Sequence, residues 1–170
     1  SMAAAHITGA LGMLRALCPD ATPDDLRAIL KETATPSGDP GEYGAGLLNL
    51  EAALLKASAR NISLHPASRY FGAVSVDASS DIQTITITNT ETGCAGLKID
   101  SVTLTGADSG EFEIQSNTCP DRLEAGENCT VGILFSPSSA GEKSASLSIG
   151  SDDPDTSVSD IMLTGNGTRN

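Results

Sequence analysis

A serine followed at once by a long helix-forming run places a hydroxyl and a backbone N–H at the head of a helix. Ser1 precedes Met2-Ala3-Ala4-Ala5-His6-Ile7-Thr8-Gly9-Ala10-Leu11-Gly12-Met13-Leu14-Arg15-Ala16-Leu17. At a helix N-terminus such a residue has the positive end of the dipole beneath it, and its own N–H can donate to a developing oxyanion. An unaided serine hydroxyl is a weak nucleophile, so a base must come from elsewhere. His6 reads as a structural helix residue. Cys119 and Cys129 flank the glycine-containing loop Pro120 to Asn128, which leads into a strand, so a disulfide is expected there; Cys18 and Cys94 have no evident mates. A zinc site is not expected, because no C-x-x-C occurs and the two histidines lie far apart. Asp152, Asp153 and Asp155 offer oxygens to calcium, yet an Asp- and Pro-rich hairpin turn explains them more simply. No metal or cofactor is assigned.

The elements that would hold these residues come in two kinds. The first helix is apolar on every side, and such a helix is expected to be buried. At roughly 1.5 Å per residue it would run about 25 Å. Thr22 is a good N-cap, Pro23 suits the first helical position, and Asp24 and Asp25 suit the positive end of a second helix. Leu26, Ile29 and Leu30 give that helix its apolar stripe, ending near Thr33. Residues 34 to 44, rich in Gly and Pro, read as a loop. Asn49 caps a third helix with Leu50, Ala53 and Leu54 inward. The helices have no sheet to pack on. Four leucine-sized side chains represent roughly 6 to 12 kcal/mol of burial. Residues 1–57 are therefore expected to self-associate, fold back on the rest of the chain, or stay partly disordered.

From about Lys56 to Asn61 the pattern changes from helical period to alternation. Ile85 and Ile87 alternate with Thr84, Thr86 and Thr88; Cys129, Val131, Ile133 and Phe135 share a face; so do Ala145, Leu147 and Ile149. Leu97 and Ile99 are followed by Val102 and Leu104 on shifted parity, which predicts a bulge near Ser101. With Ile62 to His65, Phe71 to Val76, Ile161 and Leu163, seven or eight short strands separated by turn residues predict an antiparallel β-sandwich.

The totals exclude several classes of partner. Net charge is −12 and Lys and Arg number only ten, which attracts neither nucleic acid nor an anionic membrane. Beyond the first helix there is no run of about twenty apolar residues, so membrane insertion is not expected. Three per cent aromatic residues and no tryptophan argue against an aromatic sugar-binding platform. Asn61, Asn128 and Asn166 fit the N-glycosylation pattern, a short motif that carries little weight by itself.

Ser1-Met2-Ala3-Ala4-Ala5-His6 resembles the nucleophile motif of subtilisin-like serine proteases, Gly-Thr-Ser-Met-Ala-x-Pro-His, with Ala5 where that family has proline. Pro19 to Leu26 is similar to the family's following turn and helix, and Tyr43-Gly44-Ala45-Gly46-Leu47-Leu48-Asn49 to its closing Tyr-Gly-x-Gly-x-x-Asn. Ser-Met at a chain start can also be a cloning remainder, but the resemblance rests equally on residues 3 to 57. It implies that Ser1 is the nucleophile. It also implies that the Asp and His of the triad, and the asparagine that serves as second oxyanion donor, lie upstream of Ser1. This chain alone is then expected to be inactive, and His6 is not expected to be the base.

A second resemblance covers residues 62 to 168 or so. Phe71-Gly72, Ile85 to Asn89, Phe135-Ser136-Pro137, Ala140-Gly141 and Ser151 to Thr156 are similar to the immunoglobulin-like modules called ASH or choice-of-anchor D domains. Such modules are implied to act as spacers, anchors or adhesive units of bacterial surface proteins, and the fold alone fixes no ligand.

The expectation is thus a mixed architecture: residues 1–57 as the C-terminal helices of an α/β subtilase-like catalytic domain, and residues 61–168 as an all-β immunoglobulin-like sandwich. The implied parent is a secreted endopeptidase acting on protein substrates, outside the cell or on its surface. The alternative is a non-catalytic surface or adhesive module.

Overall fold

The structure, a computed structural model of the 170-residue chain, describes residues 1–91 and 93–169. The chain divides into two compact units, one of Ser1–Arg60 with Glu91–Ala95 and one of Asn61–Thr90 with the residues from Gly96 onward.

The first unit is helical: α1 (Met2–Leu17), α2 (Pro23–Thr33), α3 (Pro40–Tyr43) and α4 (Leu50–Ser58). Two helix starts follow their caps. The Thr22 hydroxyl accepts from the Asp25 N–H while the Asp25 carboxylate accepts from the Thr22 N–H, a reciprocal box that satisfies two of the donors a helix start leaves open. Asn49 Oδ1 accepts from the Ala52 N–H at 3.0 Å. Leu26, Ile29 and Leu30 face inward as their spacing requires, and meet Ala10, Leu14, Cys18, Ala53 and Ala57 in one small core.

Two expectations are corrected here. Residues 34 to 44 are not loop throughout, because Pro40–Tyr43 forms one helical turn capped by Asp39. Nor is α1 buried on all sides within this chain. Only Ala10 and Leu14 are buried along its length, whereas Met2 is 83% and Met13 48% exposed. Only two long helices, α2 and α4, accompany α1 in this unit, and they leave much of its apolar surface uncovered.

Among the described residues the second unit is an immunoglobulin-like sandwich of nine strands: β1 (Ile62–His65), β2 (Ser68–Ser75), β3 (Gln83–Asn89), β4 (Leu97–Thr105), β5 (Phe112–Asn117), β6 (Arg122–Leu123), β7 (Asn128–Phe135), β8 (Gly141–Ser151) and β9 (Val158–Thr168). One sheet runs β1-β3-β7-β5 and the other β2-β9-β8-β4-β6. Pairing is antiparallel except between β2 and β9, which run parallel. The register shift between Ile99 and Ser101 is the bulge that the parity change implied. Ile85, Ile87, Val131, Ile133 and Phe135 from one sheet meet Leu97, Leu147, Ile149, Ile161 and Leu163 from the other, all fully buried. Phe112 and Phe135 stack at 4.9 Å between ring centroids, with Phe71 edge-on to Phe112 at 5.5 Å.

Candidate functional site

Ser1 is the N-cap of α1 and is exposed, and its side chain makes no capping hydrogen bond. A serine that spends its hydroxyl on capping accepts from the N2 or N3 amide; this one does not. The hydroxyl therefore stands at the positive end of a 16-residue helix without a structural task. His6 is occupied with its own helix, its Nδ1 lying 2.9 Å from the Met2 carbonyl oxygen. Thr8 likewise donates to the Ala4 carbonyl at 3.0 Å. Among the described residues no base is hydrogen-bonded to the Ser1 hydroxyl.

The helix is flanked by two open apolar grooves. One, of about 280 Å³, is lined by Ile7, Leu11, Leu30, Ala45 and Leu48, with Arg27 and Lys31 at its margin. The other, of about 750 Å³, is lined by Met13, Leu17, Leu50, Leu54 and Leu55. Leu55 is 65% exposed. Both grooves leave apolar side chains of α1, α2 and α4 open to solvent.

The segment after α3 shows why glycines stand where they do. Gly44 ends α3 in the left-handed region at φ 62°. Gly46, at φ 112°, passes so close to the Thr35 carbonyl that a Cβ would collide with it. That approach lets Thr35 and Leu47 exchange two backbone hydrogen bonds of 2.8 Å, which pin the loop between them.

All four cysteines are paired. Cys119 and Cys129 are joined with Cα atoms 4.8 Å apart, beside a cross-strand ladder in which the Thr118 N–H donates to the Thr130 carbonyl and the Thr130 N–H to the Thr118 hydroxyl, both at 2.9 Å. Cys18 and Cys94, for which the sequence offered no mates, are joined to each other across 76 residues. Sequence spacing hid this pair because the chain leaves the helical unit at Asn61 and returns to it only for Glu91–Ala95.

The acidic turn is held by its own backbone. Asp153 is 3% exposed, and its two oxygens accept from the N–H groups of Ile62, Asp155 and Thr156 at 2.8, 2.8 and 3.0 Å. Asp152 Oδ1 accepts from the Lys98 N–H at 2.8 Å. These carboxylates serve as turn and strand clips. Among the described residues no helix is long and apolar enough to cross a membrane.

Comparison with known proteins follows this division. Residues 1–46 match the model of the Subtilase family. Subtilisin DY of Bacillus licheniformis is 42% identical over 53 residues, which are 31% of this chain and 19% of that protein. The chain thus spans about a fifth of the length of the curated relative it matches. Among solved structures, a protein of unknown function from Porphyromonas gingivalis W83 superposes with a TM-score of 0.53 at 17% identity, covering 65% of this chain and 48% of that one, a likeness of fold alone. A looser match, TM-score 0.47 at 14% identity over 68% of this chain and 89% of that one, is to the ASH/PapD-like domain 7 of human CEP192. The chain thus carries a segment similar to the Subtilase family, residues 1–46, ahead of a β-sandwich unit that begins at Asn61.

Proposed function

We propose that this chain is the C-terminal part of a secreted subtilisin-like serine endopeptidase, and that the sandwich places the enzyme on a surface or a substrate. Ser1 is the nucleophile in this reading, with its own N–H as one oxyanion donor at the positive end of α1. The Asp and His that activate it, and a second oxyanion donor, come from polypeptide preceding Ser1. In this reading the chain by itself is inactive, since among the described residues no base is hydrogen-bonded to the serine hydroxyl.

The observation that carries this reading is the pair of apolar grooves along α1 in the unit that matches the Subtilase family. A sheet supplied by the rest of the protease would cover them and complete the burial that the composition of α1 calls for. In the absence of that sheet, the same faces would pair copies of the chain, which sedimentation at increasing concentration reads. Two disulfides fit an oxidising compartment, outside the bacterial cytoplasm. The substrate class is protein, as in the family.

Reading the coding sequence immediately before Ser1 tests the proposal. Gly-Thr next to the serine, with Asp and His motifs further back, supports a protease. An unrelated preceding segment sinks it.

The sandwich has a complete core of its own, which favours a second reading in which it is a non-catalytic surface or adhesive module. Binding of residues 61–170 to cell-envelope or matrix material, undiminished when 1–60 are removed, would favour that reading over the first.

A further inference from the structure

We infer that Gly93, Cys94 and Ala95 form a built-in clasp and are working parts of the helical unit, so a cut between α4 and β1 leaves the chain in one covalent piece until Cys18–Cys94 is reduced. Three separate contacts carry this. The Ala95 N–H donates to the Ala57 carbonyl at 3.0 Å, satisfying one of the acceptors that the end of α4 leaves open. Gly93 is buried against the same helix end, where a Cβ would collide with the carbonyls of Ala59 and Lys56 and crowd that of Ala57. Cys94 is bonded to Cys18, the C-cap of α1, with Cα atoms 5.4 Å apart. Ala95 is 4% and Cys18 1% exposed, so the clasp closes on the unit's core.

The consequence is topological. The α4–β1 connection at Ala59 to Asn61 lies between the two bonded cysteines in sequence, as does the loop after α2. Cleavage in either place gives two polypeptides that remain linked through Cys18–Cys94. Separation then requires a dithiol reductant: it delivers two electrons and two protons to the Cys18–Cys94 sulfurs, leaving two thiols, and becomes a disulfide itself. The Cys119–Cys129 bond lies wholly within the later polypeptide and does not join the two. Because Cys18 ends the helix that Ser1 begins, the clasp also fixes the far end of α1, and this holds whether or not Ser1 is a nucleophile.

The test uses the full chain carrying a site-specific protease sequence inserted between Ser58 and Asn61. After complete cutting, a non-reducing gel is expected to show one species and a dithiothreitol-treated gel two. Separation without reductant overturns the inference. Peptide mapping of the unaltered, unreduced chain is expected to yield a cross-linked peptide holding Cys18 and Cys94; free thiols there, or a different pairing, overturn it without reliance on the insertion. Gly93→Ala is expected to speed amide exchange at Ala95 and in the last turn of α4 at least tenfold, with β7 to β9 unchanged. Gly110→Ala, whose Cβ meets nothing, is the control. Unchanged exchange in Gly93→Ala would show that the loop is not seated.

Discussion

Asp153, in the turn between β8 and β9, accepts a hydrogen bond at 2.8 Å from the backbone N–H of Ile62, the first residue of β1 and 91 positions earlier in the chain. One carboxylate thereby organises its own turn and holds the strand with which the sandwich begins. Asp153→Ala leaves three amides without their charged acceptor, and urea unfolding is expected to show a loss of about 3 kcal/mol. Asp153→Asn keeps one acceptor oxygen and is expected to lose about half of that. Equal stability of the alanine variant and the parent chain would remove Asp153 from this role.

Ser1 and Thr22 are both N-cap residues, but only Thr22 uses its hydroxyl for the helix. Thr22→Ala is expected to cost about 1 to 2 kcal/mol through loss of the capping box. Ser1→Ala is expected to change stability by less than about 0.5 kcal/mol, as for a surface residue without structural contacts. Thermal unfolding of both variants compares a hydroxyl that caps its helix with one that makes no capping hydrogen bond.

Glu111 introduces a pH dependence. Its carboxylate accepts from both the hydroxyl and the N–H of Ser138, with Lys143 Nζ 3.7 Å away, and these hold its pKa below the ordinary glutamate value. A carboxyl depressed in the folded state contributes its full stabilisation above the ordinary glutamate value of 4.5. That contribution is lost as the pH falls through the lower folded value. Glu111→Gln is therefore expected to be less stable than the parent chain at pH 7, by about 1 kcal/mol. The difference should shrink as the pH is lowered below about 4.5. A difference that stays constant down to pH 2.5 would show that the ionised carboxylate is not what matters.

The two disulfides are expected to differ in what they hold. Chain-entropy reasoning gives about 4 to 5 kcal/mol for Cys18–Cys94 and about 3 kcal/mol for Cys119–Cys129, from separations of 76 and 10 residues. Replacing Cys18 and Cys94 together by serine should lower the unfolding temperature of the helical signal and leave the sandwich signal in place. Replacing Cys119 and Cys129 should do the reverse. Circular dichroism at a helix-weighted wavelength, combined with near-ultraviolet probes, separates the two.

Much of this was legible in the sequence because local chemistry decided it. Thr22, Pro23 and Asp25 set the start of α2, and strict alternation around Ile85, Val131 and Leu147 set which faces close the sandwich. What escaped depended on distant partners. β5 carries only Phe112 and Ile114 as apolar residues in a sheet-edge strand, and β6 is two residues long, so neither announces itself by alternation. The parallel β2–β9 pair and the Cys18–Cys94 bond join segments 94 and 76 residues apart, at separations that no local pattern encodes. The all-round apolar surface of α1 implies burial, yet only Ala10 and Leu14 are buried along it, because composition says what a helix could bury and not which neighbours are present to cover it.

The central claim, that Ser1 is a protease nucleophile awaiting its partners, is tested most directly by fluorophosphonate labelling with mass-spectrometric mapping. The label is applied to this chain alone and to the same chain joined to the polypeptide that precedes Ser1. The account expects no label on the chain alone, label on Ser1 in the longer protein, and loss of that label in Ser1→Ala. A longer protein that folds and yet is never labelled at Ser1, or labelling of the isolated chain at full rate, would contradict it.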